Sequence, residues 1–167
     1  IGPIANKAQF DKVLSMIGRA KKEGVKITAG GSKKVVSGFE GGFFIEPTIL
    51  ENVSAHNEIW RHEVFGPVLC VHGFSNDDEA VSLANDTEYG LAAGIWSVDE
   101  EFANKIAAKI DAGTVYINHY RSVSALAPVG GVKKSGYGRE LGPNAIRAFM
   151  QEKAIWLGEA AMPDPFG

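Results

Sequence analysis

Three short apolar runs alternate with two helical stretches between Pro67 and Asn118, and this order restricts the fold more than any other feature of the chain. The runs are residues 67–74 (PVLCVHGF), 91–98 and 113–118. Ser75 or Asn76 caps the first helix, which runs to about Asn85 and carries Asp77, Asp78 and Glu79 in its first turn, where the helix dipole favours acids. Asp99 caps the second, and Phe102, Ala103, Ile106, Ala107 and Ile110 fall on one helical face. Crossovers of about a dozen residues or more join parallel strands, so the pattern predicts an α/β fold: a mostly parallel twisted sheet with flanking helices. Residues 67–74 are almost continuously apolar, as strands covered on both faces are.

The flanks extend this layout. Over residues 5–23, Phe10, Val13, Leu14 and Ile17 repeat at helical spacing, basic residues occupy 19, 21 and 22, and Gly24 stops the helix. A short strand at 25–28 ends in Gly30-Gly31, and polar residues 32–42 form an exposed loop. Residues 43–45 resume strand composition, with Pro47 marking an edge or a bend. Residues 54–60 hold one or two helical turns, with Ser54 as N-cap. After Asn118 come a loop at 120–128, a Gly-rich run at 130–142, a helix from Pro143 that buries Ile146, Phe149 and Met150, and an apolar strand at 153–157 with no partner in sequence order. No internal repeat, low-complexity segment or linker divides the chain into two domains. The chain opens Ile1-Gly2-Pro3, with no initiator Met, and is expected to be a piece of a longer protein.

With 45% hydrophobic and 22% charged residues, the chain lies far from disordered composition. Its 17 basic and 20 acidic residues leave a net charge of −3, which gives no pull on nucleic acid or anionic lipid. No stretch approaches the roughly 18 apolar residues of a membrane span, so neither a nucleic-acid nor a membrane partner is expected. Cys70, the single cysteine, forms no internal disulfide and points to a reducing, cytoplasmic setting.

Cys70 sits between Leu69 and Val71, where burial raises a thiol's pKa, and reads as inert. His56, His62, His72 and His119 show neither metal-ligand spacing nor a cysteine cluster, so no metal site is expected. The turn His62-Glu63-Val64-Phe65-Gly66-Pro67 either leaves Glu63 solvated or presents its carboxylate to a ligand's hydroxyl pair at the sheet rim. The run Gly130-Gly131-Val132-Lys133-Lys134-Ser135-Gly136-Tyr137-Gly138 lacks the spacing of a phosphate loop and suits tight turns and close backbone approach.

In order along the chain, FIEPT (44–48), EVFGPV (63–68), NDTEYGLAAG (85–94), GTVYIN (113–118) and PVGGVKKSGYG (128–138) resemble the C-terminal part of the aldehyde dehydrogenase superfamily, from residue 2 to about 157. The resemblance implies an NAD- or NADP-dependent enzyme oxidising a small-molecule aldehyde to an acid, with a nucleophilic cysteine and a general base lying upstream of Ile1, so that the chain alone is inactive. It implies that Glu63 accepts hydrogen bonds from the nicotinamide ribose hydroxyls and that Phe65 packs beside the nicotinamide. It also implies that residues 1–150 form a partial catalytic, aldehyde-binding domain and 151–167 a C-terminal oligomerisation strand and tail, that Asn118, Tyr120, Arg121, Ser122, Val123 and Val129 border the aldehyde tunnel, and that residues 153–157 pair across a homo-oligomer, a dimer or tetramer. Val129 stands where relatives usually carry an aromatic residue, and Arg121 and Ser122 are polar where many are apolar, which implies a wider or more polar tunnel. A non-catalytic oligomerisation or ligand-binding module, or a reductase of acyl phosphates or acyl-CoA, is the alternative.

Overall fold

The computed structural model describes residues 1–158, which fall into two compact units, Ile1–Glu88 and the chain from Tyr89 onward. The first unit runs α1 (Lys7–Lys22), β1 (Lys26–Ala29), β2 (Lys33–Lys34), β3 (Phe44–Ile45), β4 (Thr48–Glu51), α2 (Glu58–Arg61), β5 (Val68–Val71) and α3 (Asp77–Asn85). The second contains β6 (Ala92–Ile95), α4 (Glu100–Ala107) and β7 (Thr114–Ile117), followed by 3-10 turns at Lys133–Ser135 and Ala145–Phe149.

Asn6 starts α1 by accepting from the Gln9 backbone N–H, and Arg19, Lys21 and Lys22 occupy its last turn, where the exposed carbonyls favour cations. Its apolar stripe buries Phe10, Val13, Met16, Ile17 and Ala20 against Leu50 of β4, Val53, Ile59 of α2 and Val64. Burial of each large aliphatic side chain contributes roughly 1.5–3 kcal/mol, so this packing fixes α1 on the sheet and on the segment that leads into β5. The sheet has the order β1-β4-β5, with β1 antiparallel and β5 parallel to β4. β2 and β3 form a small antiparallel pair.

In the second unit β6 and β7 pair in parallel register, Ala92 opposite Thr114 through Ile95 opposite Ile117, with α4 as the crossover. Asp99 caps α4 by accepting from the Phe102 N–H, and Ala103 is fully buried. Val129 and Glu140 exchange backbone hydrogen bonds of 2.8 Å and close the Gly-rich run into a loop.

Several expectations are corrected. The fold is α/β, but among the described residues two of the four strand pairings are antiparallel and the strands form three small sheets, because β1 and the β2–β3 pair return beside their partners without a helical crossover. β5 is an edge strand with one covered face: Val68 and Cys70 pack on the core, while Leu69 and Val71 are exposed. α2 starts after Asn57 instead of Ser54, whose hydroxyl accepts from the His56 N–H in the preceding turn. The helix expected from Pro143 is a 3-10 turn in which Ile146, Phe149 and Met150 stay exposed, since the described residues offer this stripe no apolar surface. The expected pairing of residues 153–157 across a homo-oligomer is a separate matter: residues 151–158 hold no strand pairing within the described chain, and residues 159–167 of the expected tail lie outside the described residues.

Candidate functional site

The acid–aromatic turn before β5 is fastened to α1. Gln9 donates from Nε2 to the carbonyls of both Val64, at 2.9 Å, and Phe65, at 3.1 Å, while Lys12 Nζ reaches the Glu63 carbonyl at 3.4 Å. A Cβ on Gly66 would lie 2.7 Å from Val13 Cγ2, so only glycine lets the turn approach α1 this closely. Phe65 has φ of +58°, a left-handed backbone that costs an L-residue with a Cβ about 1–2 kcal/mol. Its ring is nonetheless 73% exposed, and Glu63 beside it is exposed too. Hydrogen bonds, close packing and strain thus combine to hold two side chains outward, an arrangement with no return in burial.

The second unit gathers most of the other predicted residues at the end of β7. Asn118, with φ of +58°, accepts from the Ser97 N–H at 2.9 Å and donates to the Ser97 carbonyl at 2.8 Å, tying the ends of β6 and β7 together. Beyond it the Tyr116 hydroxyl donates to the Ser122 carbonyl at 3.0 Å, and His119 Nδ1 and Ser122 Oγ share a hydrogen bond of 3.0 Å. Tyr116 meets His119 and Tyr120 edge to face, and Trp96 also packs near Tyr120. Arg121, at φ of +62°, places its guanidinium carbon 5.9 Å from the Tyr120 ring centroid. Val123 is exposed farther along the loop, and Val129 sits half-buried in the bridge to Glu140.

Of the eight predicted site residues, Glu63 and Phe65 therefore belong to the first unit and the other six to the second. Phe65, Asn118 and Arg121 are half of the six non-glycine residues with left-handed backbone among those described, and such strain persists where the surroundings over-determine it. The sequence did not single out Gln9, Ser97 or Trp96 as supports. Gln9 carries the only local signal, a polar residue in a helical first turn, and that signal does not name a partner 55 residues away.

The glycine-rich run acts through backbone approach. A Cβ on Gly113 would fall 1.7 Å from the Gly130 carbonyl oxygen, and Gly90 receives backbone hydrogen bonds from both Gly113 and Val132. Arg139 Nη1 donates to the Gly131 and Gly138 carbonyls, at 2.8 and 2.7 Å, inside the loop. Cys70 is half-buried with its thiol toward the Ile59 carbonyl at 3.7 Å, and burial pushes its pKa up, opposite to the activation a nucleophile needs. Among the described residues no three of His, Cys, Asp and Glu gather as a metal site, and no helix is long and apolar enough to cross a membrane.

The family model described as the aldehyde dehydrogenase family matches residues 1–155. Betaine aldehyde dehydrogenase, chloroplastic, of Beta vulgaris is 45% identical over 93% of this chain and 31% of its own length. Aminoaldehyde dehydrogenase ALDH10A8, chloroplastic, of Arabidopsis thaliana is 46% identical over 100% of this chain and 32% of its own. Among solved structures, a mutant of aldehyde dehydrogenase C from Pseudomonas syringae, in complex with NAD+ and octanal, superimposes with a TM-score of 0.84 at 45% identity, covering 92% of this chain and 31% of that one. A point mutant of betaine aldehyde dehydrogenase from Staphylococcus aureus, in complex with NAD+, gives 0.85 at 40% identity over 89% of this chain and 30% of that one. The chain spans about a third of the length of the curated relatives it matches.

Proposed function

The chain belongs to the aldehyde dehydrogenase family, and from that premise we propose that it is the cofactor- and aldehyde-positioning third of an NAD(P)-dependent enzyme that oxidises an aldehyde to a carboxylic acid. The observation that carries this reading is the turn at Glu63 and Phe65, strained and pinned by Gln9 yet open on its outer side. These residues suit a nicotinamide nucleotide. Glu63 offers two acceptor oxygens to a ribose diol, and among the described residues no group hydrogen-bonds its carboxylate; the exposed Phe65 ring provides an apolar face for a flat heteroaromatic. When bound, that cofactor supplies acceptance of a hydride. Asn118, Tyr120, Arg121, Ser122, Val123 and Val129 border the aldehyde in this reading, held by the Tyr116, His119 and Trp96 cluster.

None of these residues is a nucleophile, and Cys70 is half-buried with a raised pKa, so the 167-residue chain by itself is catalytically silent. Residues 153–157, with Ile155, Trp156 and Leu157 exposed and unpaired among the described residues, form the edge of a homo-oligomer in the same reading. A cytoplasmic location goes with this reading as an expectation, and imaging the tagged full-length protein checks it.

Glu63→Gln in the full-length protein tests the assignment. Loss of charge-assisted bonds to a diol raises KM for the dinucleotide about 10- to 100-fold, with a smaller change in KM for the aldehyde. Equal effects on both, or none, would remove Glu63 from the cofactor site.

A further inference from the structure

Of the five arginines three have hydrogen-bonded partners, and of the other two, Arg121 and Arg147, only Arg121 meets an aromatic ring among the described residues. Arg19 forms an ion pair with Glu58, Arg61 with Asp86, and Arg139 donates to two backbone carbonyls. Among the described residues no carboxylate pairs with Arg121, whose guanidinium instead lies over the Tyr120 ring. That ring is braced by Trp96 and Tyr116, and the backbone of Arg121 is fixed in the left-handed region between Tyr120 and a Ser122 that is tied by both its carbonyl and its hydroxyl. Residues 119–129 contain no Asp or Glu that would neutralise the guanidinium from within the loop. A guanidinium that meets an aromatic ring only by a cation–π approach of 5.9 Å, with no carboxylate paired to it, has its N–H fork available, and that fork matches a carboxylate in two-point contact.

Resting on the aldehyde-oxidising reading above, we propose that Arg121 selects an aldehyde bearing a carboxylate at its far end, an ω-oxo acid. The charge on this loop is then opposite to what a cationic aldehyde needs, although the relatives matched include enzymes named for betaine aldehyde and aminoaldehydes. Selection arises twice: the guanidinium attracts an anionic tail, and it repels a cationic one in the same position. Tyr120 acts as the platform that orients the guanidinium.

The test uses the full-length protein and three aldehydes of similar length: 4-oxobutanoate, butanal and 4-aminobutanal. Wild-type kcat/KM is expected to rank carboxylate above neutral above cationic. In Arg121→Gln the ratio of kcat/KM for 4-oxobutanoate to that for butanal should fall about 10- to 100-fold, the loss expected when a charge-assisted pair of hydrogen bonds is removed. Arg121→Lys keeps the charge without the planar fork and should recover part of that ratio. A wild-type preference for the cationic aldehyde, or an unchanged ratio in Arg121→Gln, overturns the assignment while the aldehyde-oxidising reading stands. Failure to oxidise any of the three, and any longer aldehyde, brings down that reading and the assignment with it.

Discussion

Phe65 holds a left-handed backbone while its ring stays 73% exposed, so the side chain returns little burial energy for a strain of about 1–2 kcal/mol. Glycine relieves the strain but adds chain entropy to the unfolded state, roughly 0.5–1 kcal/mol in the opposite sense. Phe65→Gly is therefore expected to leave the first unit as stable as before or up to about 1 kcal/mol more stable, read from the local unfolding free energy of α1 amides by hydrogen exchange. The same variant should bind the dinucleotide more weakly in the full-length protein. A clear loss of α1 protection would mean that the ring packs on something and that its exposure is not the point of the strain. The turn that carries Glu63 and Phe65 was legible, because an acid followed within two residues by an aromatic, then by a glycine and a proline, describes a rigid turn, whereas the roles proposed for the two side chains came only with the family resemblance. Gln9 was not legible, because a glutamine in a helix gives no sign of which distant carbonyls it will reach.

The helices were the most legible elements. Asn76 and Asp99 cap α3 and α4 from their own sequence neighbourhoods, and the basic residues that end α1 sit in its last turn. Local chemistry sets these features. Strand pairing is non-local, and nothing in residues 26–29 says that they return antiparallel to β4 or that β5 ends the sheet. The run at 143–150 shows the same boundary from the other side: its apolar spacing is helical, but a short helix forms only when its stripe has a surface to meet. Between elements, Arg19 of α1 clasps Glu58 of α2 through two bonds of 2.5 and 3.0 Å, and the guanidinium holds the Glu58 carboxyl below its ordinary range. A depressed folded-state pKa gives stability that is complete above the unfolded value and disappears as pH falls through the folded one. Exchange protection of α2 should accordingly decline on acidification below about pH 4.5, the ordinary carboxyl value, by a small amount because the pair is partly solvated. Glu58→Gln should flatten that decline; an identical acid response in the variant would assign it to other carboxylates.

Among the described residues many large apolar side chains stand exposed: Leu69, Val71 and Phe74 at and beyond β5, Phe149 and Met150, and Ile155 to Leu157. Surface of this kind marks contact with further protein. Purified alone, the 167-residue chain is expected to bind an apolar dye, to sediment as a self-associated species and to show no aldehyde oxidation. A stable monomer that binds no dye, or turnover above buffer, would contradict the proposed division of labour between this third of the enzyme and the remainder. The grip of Gln9 on Val64 and Phe65 spans 55 and 56 residues of sequence. A peptide cut from residues 58–74 would keep every letter of the motif and lose its shape, because the left-handed turn at Phe65 is supported from another part of the chain; what resembles a portable signature is a joint between distant segments.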